Sequence, residues 1–208
     1  MMRLESDSEH SQGVKILADL IHWFFPKILP YAVWRRVVDA ASYHDIGETE
    51  TGDILDDGTT PLKEKIRREA AVVKKYFADI PNADAVRRVI CRSEYMKGVP
   101  YEEVCDRGVM LRAAWWLKGL DKAEAVLECG RYRKMNVGGR IGYKINPSER
   151  DLAVVEELGT DDIVFVWAWS SARVGVQDTI LWQVILAMIS DVYADVPDEI
   201  PAQFKLQV

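Results

Sequence analysis

The sequence predicts a mainly α-helical protein, on three observations. Apolar residues recur at three- and four-residue spacing through most of the chain, two-residue alternation is scarce, and prolines mark the ends of the periodic stretches. The first predicted helix runs from Ser8 to Phe25 and places Val14, Leu17, Ala18, Ile21, Phe24 and Phe25 on one stripe. Ser8 or Asp7 can cap it, and Pro26 stops it. A second helix starts near Pro30 and continues through Val33, Trp34, Val37, Val38 and Ala41. The stretch Glu48 to Thr60 is rich in Gly, Asp and Thr and reads as a loop. Pro61 then opens a charged helix from Lys63 to Phe77. Two more helices are expected, about Asn82 to Tyr95 and Tyr101 to Glu128, with Lys97-Gly98-Val99-Pro100 as the break. The basic run Lys63-Glu64-Lys65-Ile66-Arg67-Arg68 reads as a solvated helix face.

The last third is less regular. Asn136 to Pro147 is glycine-rich, Asp162 to Trp169 has the weak alternation of a short strand, and Asp178 to Val192 reads as a last, mostly buried helix. The expected organisation is a helical core over residues 1–135 and a C-terminal extension over residues 136–208, packed on the same domain.

Composition narrows the function. With 208 residues, the chain can bury roughly 70% of its unfolded surface and needs no disulfide staples. Its 49% apolar and 29% charged content fits neither a disordered chain nor a membrane protein. A net charge of −6 argues against binding to a nucleic-acid polymer, which draws on clustered Lys and Arg. The polar, acidic N-terminal stretch from Met1 to Asp7 does not read as a secretory signal. The 3 cysteines, Cys91, Cys105 and Cys129, include no Cys-x-x-Cys pair and read as free thiols in a reducing cytoplasm.

The informative anomaly is polar residues on apolar stripes. His10 shares a face with Val14, Leu17 and Ile21; His44-Asp45 continues the inner face of the second helix; Asp121 follows Leu117 by four residues on the inner side of the long helix. A bare carboxylate there is costly without a partner or a metal. Taken singly, each residue is open to a plain structural role as a satisfied core histidine, a cap or an ion-pair partner. Taken together, two imidazoles and two carboxylates from separate helices make a mixed N and O site for a divalent metal. His22, beside Trp23 and off the His10 face, reads as structural.

Two strings go further. Arg3-Leu4-Glu5-Ser6-Asp7-Ser8-Glu9-His10-Ser11 and His44-Asp45-Ile46-Gly47-Glu48-Thr49-Glu50-Thr51-Gly52-Asp53 resemble the HD-domain metal-dependent phosphohydrolases, and within them the bacterial 5′-deoxynucleotidase branch. Leu120-Asp121-Lys122 looks like that family's last metal-binding Asp followed by a basic residue, and the resemblance covers roughly Arg3 to Arg131. It implies an HD-domain helical bundle in which His10, His44, Asp45 and Asp121 hold one divalent ion. Mn, Co, Fe, Ni or Zn suits two imidazoles, and Mg suits them less well. It further implies that Glu48 orients or deprotonates a metal-activated water and that Asp53 helps place the sugar or the leaving oxygen. The branch usually carries an upstream Arg-Trp pair that grips phosphate; Arg3 is the residue here that stands in for part of it at the substrate. The implied reaction is hydrolysis of a phosphate ester, the 5′-phosphate of a (deoxy)nucleoside monophosphate. The alternatives are pyrophosphate or phosphodiester cleavage on another nucleotide, or a non-catalytic binding protein with a relict site. The expected partner is a small phosphorylated substrate, with no membrane. A homodimer is expected because related enzymes commonly pair and because exposed tryptophan is anticipated in the C-terminal third.

Overall fold

The computed structural model describes residues 7–52, 60–134, 152, 153, 168, 169, 172 and 182. Their regular structure is helical: α1 (Asp7–Phe24), α2 (Tyr31–Ala41), α3 (Glu48–Thr51), α4 (Leu62–Tyr76), α5 (Asp84–Ser93) and α6 (Val109–Lys134). Three 3₁₀ turns join them, at His44–Gly47, Glu94–Met96 and Tyr101–Glu103. No helix among the described residues is long and apolar enough to cross a membrane.

The stripes read from the sequence are the buried faces. Val14, Leu17, Ala18 and Ile21 of α1 are buried, as are Val33, Val37, Ala40 and Ala41 of α2, and the two helices pack together. Each of the larger side chains contributes about 1.5–3 kcal/mol by leaving water. Pro30, in extended backbone, starts α2 without needing the amide hydrogen that proline lacks. α5 packs on both α2 and α4. α6 buries Ala113, Ala114, Trp115, Trp116, Leu117 and Leu120, so over that stretch it is a core helix rather than a surface one. Trp115 Nε1 donates to the Val99 carbonyl at 2.8 Å, tying α6 to the turn before it. By its contacts the chain divides into two compact units, Met1–Asp121 and Lys122–Val208. In the second, Trp169 and Trp182 are buried and meet edge to face at 5.1 Å between ring centroids.

Several expectations need correction. α1 already includes Asp7 and Ser8, the two residues expected to cap it. The start of the presumed loop, Glu48–Thr51, is a helical turn, and Gly52 ends it at a φ of 68°, a conformation favouring glycine, with its amide donating to the Glu48 carbonyl at 2.8 Å. The helix expected from Tyr101 to Glu128 starts at Val109 instead. Tyr101–Glu103 is an isolated 3₁₀ turn, and the turn-forming Asp106-Arg107-Gly108 separates it from α6. The strand expected over Asp162 to Trp169 is not seen where that segment is described: Ala168 and Trp169 are helical. A short apolar run of that length does not distinguish a strand from a buried helix. Trp182 is helical, while the rest of Asp178 to Val192, the remainder of the strand segment, and Asn136 to Pro147 lie outside the described residues. Among the described residues, Trp169 and Trp182 are buried and Trp23, on α1, is exposed; Trp167 lies outside them.

Candidate metal centre

The centre is built where α1, the 3₁₀ turn after α2 and α6 present polar side chains. His10 comes from the first turns of α1, in line with buried Val14 and Leu17, so its imidazole turns inward with the stripe. The chain leaves α2 at Ser42 and tightens into the turn His44–Gly47, which places His44 and Asp45 beside each other. Gly47 makes that turn possible at this depth. A Cβ there would stand 2.9 Å from the Glu69 Cβ and 3.3 Å from its Cα, so α4 approaches too closely for any side chain.

The donor atoms converge. One ligand atom from each of His10, His44 and Asp45 lies within 4.8 Å of the others. His44 Nε2 is 3.2 Å from His10 Nε2 and 3.1 Å from Asp45 Oδ2. Asp45 Oδ2 is 3.7 Å from His10 Nε2. Asp121 Oδ1 approaches the same two nitrogens, at 3.4 Å from His10 and 3.9 Å from His44. His44 Nδ1–H donates to the Ala41 carbonyl at 2.8 Å, which leaves the Nε2 lone pair of the neutral ring directed at the cluster.

These spacings suit one cation. Ligand bonds of about 2.1 Å put neighbouring donors about 3.0 Å apart in an octahedron and about 3.4 Å apart in a tetrahedron, with opposite octahedral donors near 4.2 Å. The five distances, from 3.1 to 3.9 Å, fall in that range. Two imidazoles and two carboxylates are also the donor set such an ion takes. Exposure rises across the site, from 5% for the His44 side chain and 10% for Asp121 to 19% for His10 and 29% for Asp45. The cluster is therefore closed on the His44 and Asp121 side and open at Asp45.

Behind it lie charges that the sequence reading did not assign to the site. Lys118 Nζ is 2.8 Å from Glu94 Oε1 and 3.3 Å from Asp121 Oδ2. Lys65 Nζ is 3.7 Å from Glu48 Oε1 and 3.5 Å from Glu69 Oε1. Burial acts against both ammonium groups. The carboxylates outweigh it, Glu94 and Asp121 at Lys118 and chiefly Glu69 and Glu48 at Lys65, and hold both pKa values above the ordinary lysine value. Burial pushes the Glu69 carboxyl above the usual glutamate value, against the pull of Lys65. Lys65 thus does not belong to a solvated face: its side chain turns inward while Arg67 and Arg68 face water. The missed signal was spacing. Glu69 falls three residues after Ile66 and four before Val73, both buried, and Lys118 is three residues before Asp121.

The remaining expected site residues fall as follows. Glu48 opens α3 directly after the His44–Gly47 turn and pairs with Lys65. Arg3 and Asp53 lie outside the described residues. His22 donates from Nδ1 to the Leu29 carbonyl at 2.8 Å and stacks on Trp34, a packing role away from the cluster. None of the three cysteines is in a disulfide.

No curated protein and no solved structure matches the chain. A family model described as HD domain matches residues 1–144, and HD-domain proteins are generally metal-dependent phosphohydrolases. With more than half of its length matched, the chain belongs to the HD-domain family.

Proposed function

We propose that this protein hydrolyses a phosphate monoester, the 5′-phosphate of a nucleoside or deoxynucleoside monophosphate, at a centre held by His10, His44, Asp45 and Asp121. The observation that carries the reading is the convergence of His10, His44 and Asp45 donor atoms within 4.8 Å, with Asp121 Oδ1 at 3.4 Å from His10. A bound divalent cation supplies two things there, a lowered pKa for water and polarisation of the phosphoryl oxygens. The chain's residues do the rest. Glu48 takes the proton of the attacking water as the new P–O bond forms, and the ester P–O bond breaks with its electron pair going to the sugar oxygen, which takes a proton from solvent and leaves as the hydroxyl. Lys65, with its Nζ 3.7 Å from Glu48 Oε1, limits the swing of that side chain. The open edge at Asp45 admits the substrate, and Arg3 and Asp53 are the proposed contacts to its phosphate and to its sugar or leaving oxygen.

A small phosphorylated substrate, a cytoplasmic setting and a homodimer belong to the same proposal; light scattering tests the last. The reaction is tested by phosphate release from ribo- and deoxyribonucleoside monophosphates with added Mn, Co and Mg. Turnover of monophosphates with Mn or Co supports the reading. Turnover confined to pyrophosphates or cyclic diesters would replace the substrate class, and no turnover of any phosphate ester would remove the enzyme.

A further inference from the structure

Asp121 divides its two oxygens between different tasks. Oδ1 faces the imidazoles, at 3.4 Å from His10 Nε2 and 3.9 Å from His44 Nε2. Oδ2 faces the Lys118 ammonium at 3.3 Å. Lys118 sits one turn earlier on α6 with its side chain largely buried, and Glu94, from the 3₁₀ turn after α5, accepts its hydrogen bond at 2.8 Å.

We propose that Lys118, anchored by Glu94, is a positioning residue that fixes the rotamer of Asp121 and so presents Oδ1 to the cation. A carboxylate with nothing on its second oxygen rotates freely about its last torsion, and a charge-assisted contact on one oxygen removes that freedom. Lys118 cannot release Asp121 by swinging into solvent, because it is enclosed and Glu94 holds it from the other side. The ammonium lies closer to Glu94 than to Asp121, so it orients the ligand without neutralising it fully. The arrangement is the carboxylate counterpart of the contact between His44 Nδ1–H and the Ala41 carbonyl, in which a group behind the ligand sets the direction of its donor atom.

The inference rests on the proposed metal centre, and the test separates the two. Mn²⁺ is titrated calorimetrically into the full metal-free chain as wild type, Lys118→Met, Lys118→Arg and Glu94→Gln, with thermal melts of each metal-free protein alongside. Lys118→Met is expected to fold and to weaken Mn²⁺ binding about 10–100-fold, the usual scale for losing a group that orients a metal ligand, while Lys118→Arg restores most of the affinity. A folded Lys118→Met protein that binds Mn²⁺ as tightly as wild type, or more tightly, overturns the inference and leaves the metal centre standing. If Lys118→Met does not fold, Glu94→Gln decides. Freed from Glu94, Lys118 moves onto Asp121 and competes with the cation, so binding weakens several-fold; unchanged binding overturns the inference. Wild-type protein that takes up no Mn²⁺ removes both the centre and its positioning residue.

Discussion

Two sets of charged side chains in this molecule use the same chemistry and do different work. On the outer face of α4, Glu64 accepts from Arg67 at 2.8 Å and from Arg68 at 2.7 Å, both partners well exposed. On the inner side, Lys65 and Lys118 are shared among Glu48, Glu69, Glu94 and Asp121 at distances from 2.8 to 3.7 Å. The outer pairs are as short or shorter, yet water and salt screen them and two long side chains must be ordered to make them, so their net worth is small. The inner contacts are mostly longer because each ammonium divides itself between carboxylates. Among the described residues, the carboxylates on this inner side outnumber the two ammonium groups beside two imidazoles, an imbalance that a divalent cation would offset. On this argument burial and charge balance, rather than contact length, rank these interactions.

That comparison can be broken from the inside outward. Glu48→Gln keeps the shape of the side chain and removes its ability to take a proton. Turnover is expected to fall about 10²- to 10⁴-fold while metal content is unchanged, as read by steady-state kinetics and elemental analysis. Wild-type turnover would take the proton-accepting role away from Glu48.

Glu69 gives a smaller effect of unusual sign. Burial raises its folded pKa above the ordinary value, so the ionised form costs stability at neutral pH, and the cost is relieved as pH falls through that folded pKa. Glutamine stays neutral throughout. Metal-free Glu69→Gln should therefore melt at or above wild type near pH 8, and the gap should close as pH drops through the raised pKa to the ordinary glutamate value. A variant much less stable than wild type at pH 8 would mean that the Lys65 pair outweighs the burial.

Glu64 gives the smallest effect. Its carboxyl is pulled to about 2 by hydrogen bonds from Arg67 and then Arg68. The sign is the reverse of Glu69: what it contributes is present above the ordinary glutamate value and fades as pH falls toward about 2. The pairs lie at the surface, with the Arg67 and Arg68 side chains well exposed, so Glu64→Ala should leave the melting midpoint at neutral pH and physiological salt where wild type has it. A clear drop would show that the outer pairs matter as much as the inner ones.

Legibility in the sequence follows the same division. α1 and α2 were readable because each carries one unbroken apolar stripe, Val14 to Ile21 and Val33 to Ala41, and one proline that sets an end. His10, His44, Asp45 and Asp121 stood out as polar residues where a stripe called for apolar ones, and the structure brings their donor atoms together. Lys65 and Glu69 were hidden because a charged helix looks alike whether one of its faces meets water or a buried glutamate; only the packing of α4 against the His44–Gly47 turn separates them. The start of α6 was misplaced because the apolar residues before it, Tyr101 and Val104, keep helical spacing across a turn that Gly108 interrupts. The short helix at Glu48 was missed because Gly47 and Gly52 flank it, and glycine reads as a breaker even where one serves close packing and the other a cap.

The central claim is that His10, His44, Asp45 and Asp121 form one cation site, and the most direct measurement is the metal content of wild type and Asp45→Ala purified in parallel without chelator. The account predicts about one transition-metal ion per wild-type chain and almost none in a folded Asp45→Ala protein, since three donors remain and the open side of the site loses its carboxylate. Equal metal content in the two proteins, or a folded wild-type chain that takes up no Mn, Co, Fe, Ni or Zn when these are supplied, would contradict it.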